Sequence, residues 1–553
     1  MSDPSSKSKI ESSPKILSGS EIFLECLQHE GVEVIFGYPG GVVLPIYDKL
    51  LDYHIKHFLV RHEQNAAFAA QGYARATGKA GVCMATSGPG ATNLITGLTD
   101  AYCDSIPIVA ITGQVSTAMI GSDAFQEADT LGMTRSCTKH NYFVRDLSEL
   151  PSIIKDAFHV ATTGRPGPVL VDIPKDVLVK QGTFELAKET NLPRKRTSIK
   201  WKPEQIAKAA FMIWAAERPV IYAGGGVIHA EAAAKLKKLS ELTGIPVTTT
   251  VMGLGAFPSD HPSSLGMLGM HGRFATNNAV SKTDLLIGLG VRFDDRVTGK
   301  LDGFAKHAKI IHVDIDQAEI NKIVKVDLPI VGDLSEVLDA LNEQLTETKE
   351  KAGQAKEAAR EAWMQQIHDW QKAHPLTYDK STTEIKPQFL MEELDRLIYG
   401  KAIVSVDVGQ HQMWAAQYLR FSEPRLWANS GGLGSMGFGL PASIGTSVGN
   451  PTKIAVALIG DGGFQMSIPE LGTLATYKLP VKVIIMNNQY LGMVRQWQEM
   501  FYNGRYSEVE FPIFPDCVKL AEAYGIPGRI ITKPEELVPA LKKGDRDPGA
   551  VHS

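Results

Sequence analysis

Short apolar runs alternate with longer helical patterns along most of this chain. From Ser20 to about Lys180 the runs VEVIF, HFLV, GVCMAT, PIVAIT and PVLVDI are separated by stretches such as NAAFAAQGYARATG. A second series contains PVIYAGGG, PVTTT, DLLIGLG and KIIHVDID, and a third contains AIVSVDVG, KIAVALIGDG and VKVIIMNN. Strands that alternate with helices predict parallel sheets with helical crossovers. We therefore predict an α/β protein with three doubly wound parallel-sheet domains.

The breaks between the three series indicate the domain limits. We expect a Ser-rich disordered tail at 1–17, an N-terminal domain at 18–185, a central domain at 195–345 and a C-terminal domain at 385–553. The segment 346–384 is charged, Ala-rich and without strand signals, which predicts an exposed helical linker. The length of 553 residues fits this division, because domains average roughly 150 residues.

Composition narrows the class of protein. The chain has 57 Lys and Arg against 61 Asp and Glu and shows no basic stripe, so nothing indicates nucleic acid or an anionic membrane surface. No window approaches the roughly 20 apolar residues of a membrane span. The five cysteines include no CxxC pair, which indicates reduced thiols in a cytoplasm-like compartment. Small-molecule chemistry is the expected role.

Two strands of the third series end in oxygen-bearing side chains. The sequence GDGG at 460–463 follows IAVALI, and NN at 487–488 follows VKVIIM, which places Asp461 and Asn488 27 positions apart. Open α/β sheets bind ligands at the carboxyl ends of their strands. Because Mg²⁺ takes oxygen ligands and commonly keeps a phosphate in its shell, the pair indicates a magnesium diphosphate site. A plain turn is the alternative interpretation of GDGG alone.

Three further strand ends carry candidate cofactor residues. Glu63 follows HFLV and opens a helix, SGPGATN at 87–93 follows GVCMAT, and Gln410-His411 follows AIVSVDV. Small residues let a backbone approach a bound ring closely, and donors at a helix start can anchor a diphosphate. Each also has an ordinary interpretation. Glu63 would interact favourably with the helix dipole, SGPGATN would be a loop with a helix cap, and Gln410-His411 would be a plain helix start.

The spacing of GDG and NN resembles the signature of thiamine-diphosphate (ThDP) enzymes. In that family a glutamate on a separate domain binds N1′ of the aminopyrimidine and so activates the cofactor, and Glu63 matches that position. The resemblance implies that Asp461, Asn488 and the Tyr490 carbonyl hold Mg²⁺. It also implies that Met436, in SGGLGSMG, supports the bent conformation of the cofactor. The other expected cofactor contacts in these stretches are Pro39, Gly40, Ser87, Asn93, Gln410, His411, Gly434, Gly462 and Gly463.

Other runs resemble one branch of that family, the catalytic subunits of acetohydroxyacid synthase, also called acetolactate synthase. They are LGMHG at 268–272, GVRFDDRVTG at 290–299, AFQE at 124–127 and QYLGMVRQW at 489–497. The resemblance extends from about residue 20 to 541. Because catabolic, flavin-free acetolactate synthases lack RFDDR, it indicates the biosynthetic branch that contains FAD. The implied FAD-binding residues are Arg165, Met270, His271, Gly272, Arg292 and Asp314.

The same branch implies roles for the substrate residues. Arg296 would meet the carboxylate of the second 2-oxoacid, for which a guanidinium fork is suited. Trp497 would narrow the acceptor pocket in favour of 2-oxobutanoate. Their ordinary interpretations are an ion pair with Asp294 or Asp295 and a buried core indole. Gln126 is a further expected catalytic residue that also lines the substrate channel, and the other expected channel residues are Phe125, Lys175, Met493 and Val494.

The implied activity is that of an acetolactate synthase. Such an enzyme decarboxylates pyruvate on ThDP and joins the two-carbon unit to pyruvate or 2-oxobutanoate. The products are 2-acetolactate and 2-aceto-2-hydroxybutanoate, in the biosynthesis of branched-chain amino acids, and FAD does no net redox work. The resemblance further implies a homodimer or homotetramer with the active site between subunits, and a small regulatory subunit.

The chain departs from the family pattern at two places. Asn65 and Phe68 stand where relatives commonly carry Gly and His, and we expect small packing effects there. After PEELVPALKK, relatives continue with a GPVLLDV-like strand and a tail that folds over the active site, whereas this chain has only the residues to 553. We therefore expect a truncated C-terminal domain that lacks a strand and a lid, which would leave one sheet edge unpaired or differently paired.

Two alternative functions remain at this point. One is a pyruvate oxidase-like flavoenzyme of the same fold, which the RFDDR run and Trp497 disfavour. The other is a subunit that binds the cofactors but is catalytically impaired because it lacks the lid. A nicotinamide dehydrogenase is disfavoured because GGG at 224–226 does not have the GxGxxG spacing.

Overall fold

The computed structural model describes residues 15–190, 192, 201–350, 356–544 and 551–552. Within these ranges the chain forms three six-stranded sheets and one two-stranded antiparallel pair. The predicted tail lies outside the described residues up to position 14, and its last part is corrected, because residues 16 and 17 belong to a strand.

The N-terminal sheet has the strand order β3-β2-β4-β5-β7-β6, and all its pairs are parallel. The first helix begins with a capping box, since the Ser18 hydroxyl accepts from the Glu21 amide while the Glu21 carboxylate accepts from the Ser18 amide. The elements are β1 Ile16–Ser18, α1 Gly19–His29, β2 Val34–Gly37, α2 Leu44–Leu50, β3 Lys56–Leu59, α3 Glu63–Thr77, β4 Gly81–Ala85, α4 Pro89–Asn93, α5 Ile95–Asp104, β5 Ile108–Gln114, α6 Thr130–Thr134, β6 His140–Phe143, α7 Leu150–Thr162, β7 Val169–Pro174, α8 Lys175–Val179 and β8 Gln181–Thr183.

The central sheet has the order β11-β10-β9-β12-β13-β14, again with parallel pairs. Its elements are α9 Pro203–Ala215, β9 Pro219–Ala223, α10 Gly225–His229, α11 Ala233–Thr243, β10 Val247–Thr249, β11 Ser264–Met267, α12 Phe274–Lys282, β12 Leu285–Leu289, α13 Asp295–Thr298, β13 Lys309–Asp314, β14 Leu328–Val331, α14 Leu334–Thr348 and α15 Glu357–Ala373.

The segment expected to be an exposed helical linker is helical in α15, but one face of that helix is buried. Trp363 and Ile367 pack into an apolar cluster of the central domain, and the Arg360 guanidinium donates to the Ile213 carbonyl at 2.8 Å and the Trp214 carbonyl at 3.0 Å. Trp363, Ile367 and Trp370 recur at the i, i+4 and i+7 spacing of one apolar helix face, a signal that the charged and Ala-rich composition of the segment outweighed in the prediction.

The C-terminal sheet has the order β16-β15-β17-β18-β20-β19. The expected loss of its last strand is corrected, because β20 pairs parallel with both β18 and β19, although it is only two residues long. The elements are α16 Pro387–Ile398, β15 Ala402–Val406, α17 Gln410–Tyr418, β16 Trp427–Asn429, α18 Gly439–Gly449, β17 Ile454–Gly460, α19 Asp461–Ser467, α20 Leu471–Tyr477, β18 Lys482–Met486, α21 Gly492–Phe501, α22 Cys517–Ala523, β19 Gly528–Arg529, α23 Pro534–Gly544 and β20 Val551–His552.

Helices α3 and α18 join the N-terminal and C-terminal sheets within one chain. They cross at glycines, because a Cβ atom on Gly72 would overlap the Ala442 carbonyl and one on Gly445 would overlap the Ala69 carbonyl. One apolar cluster contains residues of both sheets, including Phe36 and Ile459. The predicted fold class is thus confirmed. Among the described residues, no helix combines the length and apolar character that crossing a membrane requires.

Candidate active site

A cavity of about 410 Å³ opens at the carboxyl ends of β15, β17 and β18. Neighbouring parallel strands end at the same sheet edge, so the turns that follow them face one space. The predicted residues that line it are Gln410, His411, Met436, Asp461, Gly462, Gly463, Asn488, Tyr490, Met493 and Val494. We call this space the diphosphate cleft.

Asp461 begins α19 at one wall of the cleft and is well ordered by backbone donors. Its carboxylate accepts from the amides of Gly462 at 2.7 Å, Asn488 at 3.0 Å and Gln489 at 2.6 Å. Burial raises the pKa of this carboxyl group, and the backbone hydrogen bonds partly oppose that rise. The Asn488 side-chain oxygen accepts from the Tyr490 amide at 3.0 Å. These oxygens fit a Mg²⁺ shell that a phosphate completes.

No group of three or more His, Cys, Asp or Glu side chains suited to a metal occurs in the described part of the chain. The set in the cleft contains a single carboxylate, with an amide and a carbonyl oxygen as its other members. Such a set is typical of a magnesium ion that is bound together with a phosphate.

His411, in the first turn of α17, has one ring nitrogen without a partner. The ring is buried, and its Nε2 atom forms no hydrogen bond in the described part of the chain. Burial lowers the pKa of His411 to about 4, while a hydrogen bond to the Asp407 backbone opposes that shift. A buried nitrogen without a partner costs free energy unless a ligand satisfies it. The negative charge of a diphosphate favours the protonated ring, whose Nε2 would then donate to it.

Asp407 was missed in the sequence, although it supports the cleft. Its buried carboxylate accepts from the amides of Val408 at 2.9 Å, Gly437 at 3.1 Å and Gly439 at 2.8 Å. These contacts fix the chain on both sides of the cleft and so place the nearby Met436. A carboxylate at the end of the apolar run AIVSV was the available signal.

A second cavity, of about 870 Å³, lies between the central domain and its neighbours. We call it the flavin-sized cavity. The predicted residues that line it are Arg165, Met270, His271, Arg292, Arg296, Asp314, Gly434, Met493 and Trp497. Gly272 does not line it, because this residue closes the preceding turn, where a Cβ atom would lie 2.7 Å from the backbone of Leu268 and Gly269.

The charges around this cavity suit a large anionic cofactor. Arg165 donates to the Ser105 hydroxyl at 2.8 Å and to Glu319 at 2.7 Å. Arg292 forms no hydrogen bond or ion pair with any part of the chain that the structure describes, so its donors are available to a ligand. Burial raises the pKa of Asp314 to about 6. These features fit FAD.

The glycines at 224–226 also line the flavin-sized cavity, a place that their spacing did not predict. A Cβ atom on Gly226 would lie 2.6 Å from the Gly290 backbone, so the turns after β9 and β12 approach each other closely. This close approach leaves no room for side chains at the turns. The triplet GGG was the available signal.

Arg296 and Trp497, the two residues predicted to contact the second 2-oxoacid, lie in contact with each other. The Arg296 guanidinium lies over the Trp497 ring with 5.5 Å between Cζ and the ring centroid. Arg296 also approaches Asp295 at 3.7 Å, an exposed and therefore weak ion pair. Trp497 is 40 % exposed and is not a core indole. Both side chains and Met493 line the flavin-sized cavity, and Val494 faces the diphosphate cleft.

Glu63 lies at the first turn of α3, on the N-terminal domain. Asn93 donates to the Glu63 carboxylate at 3.0 Å, and a Cβ atom on Gly90 would lie 3.4 Å from it. The Ser87 hydroxyl is buried without a partner. Gly88 packs against the Gln126 backbone. These residues share one sheet edge, but neither Glu63 nor the others line either cavity of the same chain.

The remaining predicted residues of this domain are in the same loops. Gly40, which follows Pro39, packs against the Thr86 side chain. Phe125 is 88 % exposed, and Lys175 is exposed at the start of α8. A large exposed aromatic ring beside a candidate site indicates a surface that another molecule or subunit covers.

The two residues of α3 that depart from the family pattern, Asn65 and Phe68, are both buried. Phe68 packs edge-on against Phe438 at 5.3 Å between ring centroids, which is the expected packing effect. Asn65 does more than pack, because its amide donates to the Glu470 carboxylate at 2.9 Å. The same carboxylate oxygen accepts from the Arg61 amide at 2.8 Å. Glu470 therefore ties the start of α3 to the C-terminal domain.

Comparison with known families agrees with this geometry. Three models match: the N-terminal TPP binding domain of thiamine pyrophosphate enzymes at residues 17–133, their central domain at 206–341, and their C-terminal TPP binding domain at 407–551. The fold and the cleft thus define the class of thiamine pyrophosphate enzymes.

Individual relatives narrow the family within this class. An "Acetolactate synthase" of Mycobacterium bovis is 50% identical over 95% of this chain and 86% of its own length. The "Acetolactate synthase isozyme 2 large subunit" of Escherichia coli is 47% identical over 95% of this chain and 93% of its own length. A "Probable acetolactate synthase large subunit" of Methanocaldococcus jannaschii is 48% identical, covering 95% and 90%. The chain belongs to the acetolactate synthase large-subunit family.

Proposed function

We propose that this chain is the catalytic subunit of a biosynthetic acetolactate synthase that uses ThDP, Mg²⁺ and FAD. It condenses pyruvate with a second pyruvate or with 2-oxobutanoate, with release of CO₂. One observation supports the proposal most directly: the diphosphate cleft adjoins the flavin-sized cavity. Met493 lines both spaces, and Arg296 and Trp497 line the flavin-sized cavity. A substrate held there would touch both cofactor sites.

In the diphosphate cleft the protein's own groups bind and orient. Asp461, Asn488 and the Tyr490 carbonyl would hold Mg²⁺, while His411 and the glycine amides would hold the diphosphate. Met436 lies 3.1 Å from the position of a Cβ atom on Gly462, and it would press on the cofactor from this side. Bound ThDP supplies the electron sink that lets a 2-oxoacid lose CO₂.

Glu63 would hold a proton at N1′ of the aminopyrimidine, and Asn93 orients its carboxylate. Because Glu63 lines neither cavity of its own chain, we propose that it serves the cleft of a second copy. A homodimer is then the smallest active assembly, and a homotetramer is a pair of such dimers.

The substrate residues act by charge and shape. Arg296 would donate hydrogen bonds to the carboxylate of the second 2-oxoacid, and Trp497 would limit the width of the pocket. Phe125, Gln126 and Lys175, on the same domain as Glu63, would line the channel together with Val494. In the flavin-sized cavity Arg165, Arg292, His271 and Asp314 would hold FAD.

The cellular setting follows the same family. The relatives' name "large subunit" supports a small regulatory partner for this chain. No disulfide links any of the five cysteines, all of which lie in the described part of the chain, and this supports the cytoplasm as the compartment. The three domains at 18–185, 195–345 and 385–553 would bind, respectively, the pyrimidine, FAD and the diphosphate with Mg²⁺.

A carboligation assay tests the proposal. Purified protein with ThDP, Mg²⁺, FAD and pyruvate is expected to form acetolactate, which acid converts to acetoin. Glu63→Gln is expected to lose about 10²- to 10⁴-fold in rate, because the amide cannot exchange the proton. Glu33→Gln, at an exposed position of the same domain, is the matched control and should keep full activity.

Two results would contradict this function. Pyruvate-dependent bleaching of the flavin with oxygen consumption and no acetolactate would indicate a pyruvate oxidase-like enzyme. Tight binding of ThDP and FAD without any product would indicate a catalytically impaired subunit.

A further inference from the structure

The loop Ser430–Gly437 forms part of both cavities. Gly431–Gly434 line the flavin-sized cavity, and Met436 lines the diphosphate cleft. A shift of this loop would therefore displace groups at both cofactor sites at once. What holds the loop is consequently important for the reaction.

Two buried carboxyl groups of the N-terminal domain hold the loop. Asp104, at the end of α5, accepts from the amides of Gly431 at 2.9 Å and Gly432 at 2.6 Å. Asp100, one turn earlier, accepts from the hydroxyls of Ser430 and Ser435, the latter at 3.1 Å. The Ser430 hydroxyl in turn accepts from the Ser435 amide at 2.7 Å.

The two carboxyl groups share one nearby cation. Arg75 of α3 donates to Asp104 at 2.7 Å, and both side chains are almost fully buried. Asp100 is fully buried and forms no ion pair in the described part of the chain. Two buried anions beside a single guanidinium leave one negative charge uncompensated, which is costly at low dielectric.

Hydrogen bonding around Asp100 indicates how that cost is avoided. Both serine hydroxyls donate to the Oδ1 atom of Asp100, whereas its buried Oδ2 atom has no hydrogen-bond partner in the described part of the chain. Gln71 of α3 also contacts the carboxyl group, and this contact lowers its pKa. A buried carboxylate oxygen without a partner keeps its full desolvation cost while the group is charged and loses much of that cost when the group is neutral.

We propose that Asp100 is a neutral carboxylic acid in the folded enzyme and acts with Asp104 as a positioning residue for the Ser430–Gly437 loop. This inference rests on the proposed function of the two cavities. Asp104 carries the negative charge and binds backbone amides, whereas the protonated Asp100 binds serine hydroxyls. The loop thus receives two anchors but only one charge.

The electrostatic surroundings agree with a bound proton. Burial, and after it the charge of Asp104, raise the pKa of Asp100, while the Ser430 hydrogen bond, Arg75 and the Gln71 hydrogen bond oppose the rise. Cys103 also faces this group, and His229 of α10 faces Arg75 and Asp104. Ionisation of Asp100 as the pH rises would add a second negative charge and strain the loop.

Three variants test the assignment through the pH profile of kcat. Asp100→Ala is expected to lower kcat about tenfold, because the loop loses one anchor. Asp100→Asn should restore most of kcat, since its oxygen can accept from the serines and its side chain is neutral at every pH. It should also extend activity to higher pH than wild type. Asp104→Asn, which leaves Arg75 unpaired, should remain about tenfold or more below wild type.

A stability measurement works without activity. Because the folded state binds the Asp100 proton more tightly than the unfolded state, wild-type stability should fall as pH rises through the interval between the two pKa values. The Tm of Asp100→Asn relative to wild type is therefore expected to increase from about pH 5 to about pH 8. An infrared difference spectrum between the two should show the carbonyl band of a protonated carboxyl group.

The outcomes separate this inference from the proposed function. A wild type without acetolactate activity that still shows the carboxylic-acid band would refute the function and leave the protonation standing. An active wild type in which Asp100→Asn is as damaging as Asp104→Asn, without the band, would overturn the inference.

Discussion

At the scale of single residues, the proposed acceptor site consists of two side chains whose shape and charge suit a 2-oxoacid. Trp497 and Arg296 lie against each other at the mouth of the flavin-sized cavity, so the indole limits width where the guanidinium would bind a carboxylate. Both side chains are partly exposed, which leaves them free to contact a substrate.

Replacement of Trp497 should alter the choice of acceptor. Trp497→Leu is expected to lower the preference for 2-oxobutanoate over pyruvate by about tenfold to 200-fold, since one methylene group in an apolar pocket is worth about 1–3 kcal/mol. The ratio of the two products in a competition assay measures it. Phe501→Leu, 68 % exposed on the same helix, is the control and should leave the ratio unchanged. A variant that loses rate but keeps the ratio would contradict the assignment.

At the scale of elements, the crossing of α3 and α18 determines where Glu63 lies. Gly72 and Gly445 let the two helices touch through their backbones, and Glu470 binds Asn65 near the start of α3. No flexible side chain separates the two helices at these glycines, so the first turn of α3 has a defined position relative to α18.

Gly445→Ala tests this crossing. The new Cβ atom would overlap the Ala69 carbonyl, so the free energy of unfolding is expected to fall by about 1–3 kcal/mol. The loss should occur although alanine favours a helix by about 1 kcal/mol over glycine. Thermal unfolding measures it. Gly303→Ala, where a Cβ atom meets nothing within 4 Å, is the control, and an equal Tm for both variants would contradict close packing.

At the scale of the whole molecule, the residues proposed for the active site lie on two separate surfaces of one chain. The diphosphate cleft and the flavin-sized cavity adjoin each other, whereas Glu63 and its neighbours lie on another surface with the exposed Phe125 and Lys175. A second copy that covers this surface would complete two sites at once, as a symmetric dimer requires.

Mixing two inactive variants tests the shared site. Glu63→Gln and Asp461→Asn are each expected to be inactive, but after subunit exchange a mixed dimer has one site with both residues intact. About a quarter of wild-type activity should then return. The readout is acetolactate formation before and after mixing, with each variant alone as control. If every site uses Glu63 and Asp461 of one chain, mixing restores nothing.

Much of the fold could be predicted from local pattern. The strands that contain VIFG, GVCMA, PVIYA and IAVALIG are apolar runs bounded by turns, and each of them forms. Asp461 and Asn488 could be paired from the sequence because parallel strands end at the same edge. The short strands β6, β11, β14 and β16 were missed, since three or four residues carry too little pattern.

The sequence by itself therefore determined the order of strands and helices, and the motif spacing that identifies the cofactor class, because both depend on neighbours along the chain. Only the tertiary structure decided how distant residues meet. Asp100 and Ser430 are separated by 330 positions, and no pattern along the sequence predicts their hydrogen bond. The same holds for the two glycine contacts and the separation of Glu63 from the cleft, since each results from how the domains pack against one another.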